Sequence, residues 1–306
     1  MSMDLIDCLV IGGGPAGVTA AIYLARFHLS VRVIDAGQSR VTWIPRTHNH
    51  AGYPGGINGT ELLARMREQL AEFGVTVEHG LVEHLERKGD GFEARVADGP
   101  VIAARTVMLA TGVVNKQPPI SPELHEVAMK RGLIRYCPIC DGYEVTDKRV
   151  GVIGNRTHGY KEAVFLRTYT RDVTLIAPDT DVELSPDEHA KLDELGVERV
   201  GGPCASLRVE GDRIVAPTPK GEMEFDSIYP ALGSVIRSEL AMALGAEGSS
   251  DGCLVVDDHQ RTSVPGLYAA GDVVRGLDQI SHAMGEGGVA ATTLRNDLAD
   301  RKPLWR

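Results

Sequence analysis

Leu5-Ile6-Asp7-Cys8-Leu9-Val10-Ile11-Gly12-Gly13-Gly14-Pro15-Ala16-Gly17 decides the fold of this 306-residue chain. Its first seven residues, mostly apolar, read as a strand buried on both faces, the habit of a parallel sheet. Gly12, Gly14 and Gly17 then fall at G-x-G-x-x-G spacing, and Val18, Ala21, Ile22 and Ala25 follow on one helical face. The first glycine makes the tight turn, the second lets a pyrophosphate approach the backbone, and the third lets helix and sheet pack closely. The positive end of the helix dipole then faces the phosphates. A second strand, Val31 to Ile34, ends at Asp35, where a carboxylate can bond a ribose hydroxyl. Strand, turn, helix and acid agree on a dinucleotide-binding βαβ unit.

Beyond Asp35, residues 36–59 are irregular and hold Trp43, His48, Asn49, His50 and Tyr53, whose local spacing fits loop polarity better than a metal site. Residues 60–73 are expected as an amphipathic helix. Strands are expected at 75–78, 82–87, 92–97 and 107–110, the last ending at Thr111-Gly112. Pro118-Pro119 marks a linker. A second βαβ follows: a strand over 150–153, Gly154, a helix over 158–169 and a strand over 173–177. Ser185-Pro186-Asp187-Glu188 supplies an N-cap, a first-turn proline and a capping glutamate for the next helix. Strands near 204–209, 213–216 and 223–230 precede a second linker over 245–252. A strand over 254–256 and a final helix over 283–297 close the chain.

The length suits two domains. A composition 43% apolar and 24% charged, with net charge −10, is that of a globular protein whose acidity opposes nucleic acid and anionic membrane partners. No apolar run reaches membrane-span length, and Met1 to Asp4 offers no basic region of a secretory signal. An odd count of five cysteines points to the reducing cytoplasm.

Two of those cysteines form Cys137-Pro138-Ile139-Cys140, followed by Asp141. Thiols three apart can close and reopen a disulfide ring, and an adjacent acid can hold or deliver a proton. A zinc half-site and a plain structural pair are the rival readings. Zinc needs two further ligands, and Cys8, Cys204 and Cys253 are scattered singly.

In order and spacing, five segments resemble the low-molecular-weight thioredoxin reductase family of FAD-dependent disulfide oxidoreductases. They are Gly12–Gly17, the loop Asn49-His50-Ala51-Gly52-Tyr53-Pro54 with Gly59, Ala110-Thr111-Gly112, Cys137–Gly142, and Thr262–Asp272. The resemblance covers nearly the whole chain. It implies an α/β fold of two Rossmann-like, three-layer ββα domains: a discontinuous FAD domain over 1–114 and 247–306, and an inserted NAD(P)-binding-like domain over 115–246 that carries the CxxC. It implies a homodimer. It places FAD on Gly12, Gly14, Pro15, Ala16 and Gly17, and next to Asp35, Ala36, Gln38 and Asn49. Ala110, Thr111, Gly112, Gly271 and Asp272 complete that set, with His282 and Ala283 beside the flavin pyrimidine at a helix start; the plain reading of His282 is a solvent-facing helix-start residue. Cys140 becomes the flavin-proximal thiol, Cys137 the interchange thiol, and Asp141 the acid that protonates the departing thiolate.

The second βαβ departs from the family. Where a pyridine-nucleotide fingerprint carries its middle glycine, Gly154-Asn155-Arg156-Thr157-His158-Gly159 has Arg156. Where NADPH-using members carry a basic cluster, Ile176-Ala177-Pro178-Asp179 offers an acid. Both changes argue against efficient NADPH use; the alternative is an Arg156 that swings out to bind phosphate. The expected function is a thioredoxin reductase-like relay between flavin, the CxxC and a protein or small disulfide, with ferredoxin or another donor in place of NADPH. A small-molecule dithiol oxidase of the same fold and a non-catalytic flavin redox sensor are the rivals. Gln279–Gly288 looks closer to the oxidases, and Asp141 is the reductase choice. Trp305 is either a lid for a flavin face or a plain exposed terminal aromatic.

Overall fold

The computed structural model describes residues 5–204 and 206–304, so Trp305 lies outside the described residues. The chain divides into two compact units: Met1–Thr42, Ile57–Val114 and Ile236–Arg306 form the first, and Trp43–Gly56 with Asn115–Val235 the second.

In the first unit, β1 (Ile6–Ile11) is buried nearly throughout and pairs in parallel with β2 (Val31–Asp35) on one side and β6 (Val101–Leu109) on the other. β3 (Val77–His79) continues the parallel sheet beyond β2. β6 serves two partners along one edge. Its early residues pair antiparallel with β5 (Gly91–Val96), which pairs with β4 (Val82–Lys88), and Val107–Leu109 pair in parallel with β16 (Leu267–Ala269). This fork separates the parallel sheet from the antiparallel meander and makes room for the core of Leu9, Ile11, Leu85, Phe92, Val107 and Leu109 between them. On the other face, α1 (Pro15–Arg26) packs between α2 (Gly59–Ala71) and α8 (Ile280–Ala299). Asn58 caps α2 by accepting from Thr60 N and Glu61 N at 2.8 and 3.1 Å.

The second unit repeats the plan on a smaller scale. β8 (Val150–Gly154), β9 (Val173–Ile176), β10 (Glu198–Val200) and β14 (Ser227–Ala231) form a parallel sheet in the order β10-β9-β8-β14. β11 (Arg208–Glu210), β12 (Arg213–Thr218) and β13 (Gly221–Phe225) form an antiparallel sheet. The helices are α3 (Pro122–Lys130), the single turn α4 (Pro138–Asp141), α5 (Arg156–Leu166) and α6 (Pro186–Glu194). The last carries the expected Ser185–Glu188 capping box. β7 (Val113–Asn115) and β15 (Ser234–Ile236) form the remaining two-stranded sheet.

Several expectations need correction. The strand expected over 223–230 is two, broken at Asp226, whose carboxylate accepts from Arg149 N at 2.8 Å and pairs with Arg213 at 2.7 Å. The strand expected over 254–256 joins no ladder; Leu254 makes only isolated bridges to Gly248 and Val274. The linker expected over 245–252 is preceded by α7 (Glu239–Ala243), and Ala241 and Ala246 are buried in the first unit's core, so the compact units divide at 235/236 rather than 246/247. The final helix starts three residues earlier than expected, at Ile280.

Candidate active site

Of the FAD residues named from the sequence, all but Asn49 lie in the first unit, several of them at the carboxyl ends of parallel strands. Gly12 follows β1, Asp35 ends β2, Ala110 follows β6, and Gly271 lies just beyond β16. Ligands of open α/β sheets bind at that edge. Gly12 sits at φ +108°, where a Cβ would strike the Ala110 carbonyl, and Ala110 N donates to Ile11 O at 2.8 Å. A Cβ on Gly17 would likewise strike Gly12 O, so the third glycine sets how closely α1 approaches the turn. Pro15 opens α1, no side chain caps Gly14, and no acid lies in the first turn. The helix start therefore presents its amides and positive dipole end, which fits a pyrophosphate.

Asp35 is nearly buried and pairs with Arg67 at 2.7 Å; Arg67 also reaches Gly13 O. Just past it are Ala36 and Gln38, whose Oε1 accepts from Arg237 at 2.7 Å. Arg237 is tied to the third strand end as well: its N donates to Gly112 O, and its carbonyl accepts from Thr111 Oγ1. Asp272 pairs with Arg40 at 3.1 Å, and Arg40 holds Asp278 at 2.9 Å. Ala16, Gly271 and Ala283 meet: a Cβ on Gly271 would stand 3.0 Å from Ala16 Cβ and 3.7 Å from Ala283 Cβ.

His282 lies in the first turn of α8, with its side chain 43% exposed. Because α8 begins at Ile280, the Ala283 amide makes the helix's own bond to Gln279 O at 2.9 Å, and His282 Nε2 lies 3.0 Å from Glu286 Oε1. Glu286 Oε2 accepts from Gly271 N at 2.7 Å, and burial raises its carboxyl above the usual range. Arg40, Arg67, Arg237 and Glu286 carried no sequence signal, since each reads as an ordinary charge on a loop or helix.

In the second unit, Cys137 and Cys140 are joined as a disulfide with Cα atoms 5.2 Å apart. Pro138 starts the single turn α4, and the amides of Cys140 and Asp141 both donate to Cys137 O, at 2.9 and 3.2 Å. The joined sulfurs suit a redox or structural pair rather than zinc, and among the described residues no group of His, Cys, Asp and Glu is placed to hold a metal ion. Asn49 belongs to this unit and reaches Ile139 O at 3.5 Å. Asp141 turns inward. Its Oδ2 accepts from Arg135 at 3.0 Å and its Oδ1 from the Tyr229 hydroxyl at 2.9 Å. Burial raises its carboxyl above the usual range, with Arg135 and Tyr229 pulling the other way. A carboxyl so placed can carry a proton and can also be held as an anion, the property required beside a thiol that leaves and returns.

Burial pushes Cys8 up to about 12 and Cys204 up to about 11, and it raises Cys253 as well. These thiols stay protonated at neutral pH, which leaves the chemistry to the CxxC.

The second βα turn is filled by its own side chains. Asn155 Oδ1 accepts from Arg156 N and Glu183 N at 2.9 and 2.7 Å, and its Nδ2 donates to Asp181 O at 3.2 Å. Arg156 occupies the left-handed region at φ +52°, a conformation made for glycine, and its Nε donates to Glu183 at 2.9 Å. Gly154 and Gly159 keep the first and last glycine positions: a Cβ on Gly159 would press on Gly154, and one on Gly154 on Ala231.

The sequence pattern of the family described as pyridine nucleotide-disulphide oxidoreductase matches residues 6–287. The thioredoxin reductase of Aquifex aeolicus is 28% identical, over 98% of this chain and 96% of its own. Among solved structures, the thioredoxin reductase from Streptococcus pyogenes superposes with a TM-score of 0.88 at 28% identity, over 98% of this chain and 100% of its own. HlmI superposes at 0.87 with 30% identity, over 97% and 93%.

Proposed function

The chain belongs to the pyridine nucleotide-disulphide oxidoreductase family, and we propose that it relays electrons between FAD and the Cys137–Cys140 disulfide, and onward to a protein or small disulfide, with little or no use of NADPH. It is a thioredoxin reductase-like flavoprotein disulfide oxidoreductase. Bound FAD supplies the two-electron chemistry; Gly12, Gly14, Gly17 and the flanking Asp35 and Asp272 would hold it.

One observation carries the relay: a disulfide on a single helical turn, with the carboxyl that follows it buried between Arg135 and Tyr229. In the direction of partner reduction, the Cys137 thiolate attacks the partner disulfide, the departing partner sulfur takes the Asp141 proton, and the Cys140 sulfur, giving its proton to the Asp141 carboxylate, closes on Cys137 to release the second partner sulfur. Arg135 and Tyr229 stabilise the carboxylate left behind. The relatives named thioredoxin reductases point to a thioredoxin-like protein as partner. The filled turn at Asn155–Arg156, with Glu183 across it, points to ferredoxin or a dithiol as donor instead of a nicotinamide. A homodimer working in the reducing cytoplasm completes the proposal.

Replacing Cys137 or Cys140 with serine tests it. Either variant is expected to lose disulfide turnover by at least about a thousandfold, because the two thiols act as a unit. Intact turnover in either variant overturns the relay.

A further inference from the structure

The loop from β16 to α8 begins with Gly271 and Asp272, and side chains from elsewhere in the first unit hold it. Arg40, past the end of β2, bonds the carboxylates of Asp272 at 3.1 Å and Asp278 at 2.9 Å. Glu286 holds the backbone. From the second turn of α8 its Oε2 accepts from Gly271 N at 2.7 Å, and its Oε1 lies 3.0 Å from His282 Nε2. The residue is only 9% exposed. Packing fixes where this carboxyl stands. A Cβ on the next residue, Gly287, would strike Ala16 O, so α8 crosses the start of α1 with no side chain between them. A Cβ on Gly276 would stand 3.1 Å from His282 Nε2 and 3.4 Å from Glu286 Oε1, so the loop lies against the pair.

Gly271 sits at φ +79°, where glycine has many conformations open to it, and a hydrogen bond to its amide selects one of them. We propose that Glu286 is a positioning residue for FAD: by holding the Gly271 amide it fixes the backbone from which the Asp272 carboxylate is presented, while Arg40 fixes the carboxylate itself. This rests on the reading of Gly271 and Asp272 as FAD residues. Burial raises the Glu286 carboxyl above its usual range, the Gly271 amide and His282 pull it back, and the charge of Asp272 adds to the rise. The task asked of Glu286 is to accept one N–H, which the oxygen of a side-chain amide can also do. Without any acceptor the Gly271 N–H is left unpaired and the loop start is free to turn.

The test reads FAD retention rather than turnover. The FAD-loaded enzyme is diluted stepwise, and the FAD that passes an ultrafilter is measured by its fluorescence to give a dissociation constant. Glu286→Met keeps the length of the side chain and removes the acceptor; it is expected to weaken FAD binding about thirtyfold. Glu286→Gln keeps an oxygen for Gly271 N and is expected to stay within about threefold of wild type. Equal losses in the two variants, or none in Glu286→Met, overturn the inference. A double-mutant cycle asks whether Glu286 acts through Asp272. Asp272→Asn is expected to weaken binding about tenfold, and Glu286→Met added to it to cost no more than about threefold further. A full second loss of about thirtyfold would place the role of Glu286 elsewhere in the unit and overturn the inference. Should Glu286→Met fail to fold, Glu286→Asp takes its place: drawing the carboxylate back from Gly271 N is expected to weaken binding about tenfold, and wild-type retention overturns the inference. Unchanged FAD binding in Asp272→Asn would overturn the FAD reading of Asp272, and the inference with it.

Discussion

The turns at Gly12–Gly17 and Gly154–Gly159 start from the same plan of buried parallel strand, glycine and helix, and they diverge in what occupies the helix start. At α1 the cap position is Gly14, with no side chain bonded across it, and the surrounding acids Asp35 and Asp272 are each held by an arginine. At α5 the cap is Asn155, already bonded to Arg156 N and Glu183 N, and Arg156 is drawn onto Glu183. The helix dipole is available in both. Binding a pyrophosphate needs the amides unspent and the approach clear; at α1 no side chain caps the turn, and at α5 the Asn155 side chain takes the Arg156 amide. On the function proposed above, the second turn no longer serves dinucleotide binding and its unit acts as a platform for the disulfide and its acid.

The largest effect that would sharpen this contrast is expected at Gly12. Gly12→Val puts a branched side chain at φ +108° against the Ala110 carbonyl, and flavin content measured by absorbance is expected to fall at least about tenfold. Gly154→Ala, the matching change in the other turn, meets Ala231 and is expected to cost about 1–3 kcal/mol of stability in a denaturant titration while the flavin content holds. Equal loss of flavin in both variants would break the comparison. A smaller effect is expected from Arg156→Gly, which removes the obstruction at a backbone conformation glycine adopts freely. NADH binding is expected to tighten by about tenfold, roughly 1.4 kcal/mol by calorimetry, and NADPH binding by less, because Asp179 still opposes a 2′-phosphate. The smallest effect is at the cap itself. Asn155→Ala is expected to lower stability by about 1 kcal/mol, seen as a lower melting temperature, whereas Gly14→Ala, whose Cβ would stand 3.0 Å from Ser39 Oγ, is expected to weaken FAD binding instead.

Much of this contrast could be read from the sequence because it is local. A strand, the three motif glycines and a helix occupy 22 consecutive positions from Leu5 to Arg26, and a missing middle glycine at Arg156 shows in an equally short window. The cysteine pair was equally legible, since ring closure depends on a spacing of three. Side chains brought together by the fold were not. Tyr229 lies 88 residues from Asp141, and Arg40 lies 232 from Asp272. The contact of His282 with Glu286 was hidden for a related reason: the helix start depends on where the chain leaves Asp278–Gln279, and a start three residues earlier sets His282 one turn before Glu286. The helix α7 escaped notice because its five residues are too few for a period to show.

The most direct test of the central claim is anaerobic stopped-flow absorbance of the flavin band in the FAD-loaded enzyme, mixed first with NADPH and then with NADH. The filled turn at Asn155–Arg156 leads to no bleaching by either on the timescale of turnover, with rapid bleaching by a dithiol or by reduced ferredoxin. Rapid bleaching by NADPH would contradict it, because the second turn would then bind a nicotinamide dinucleotide despite Arg156 and Asp179.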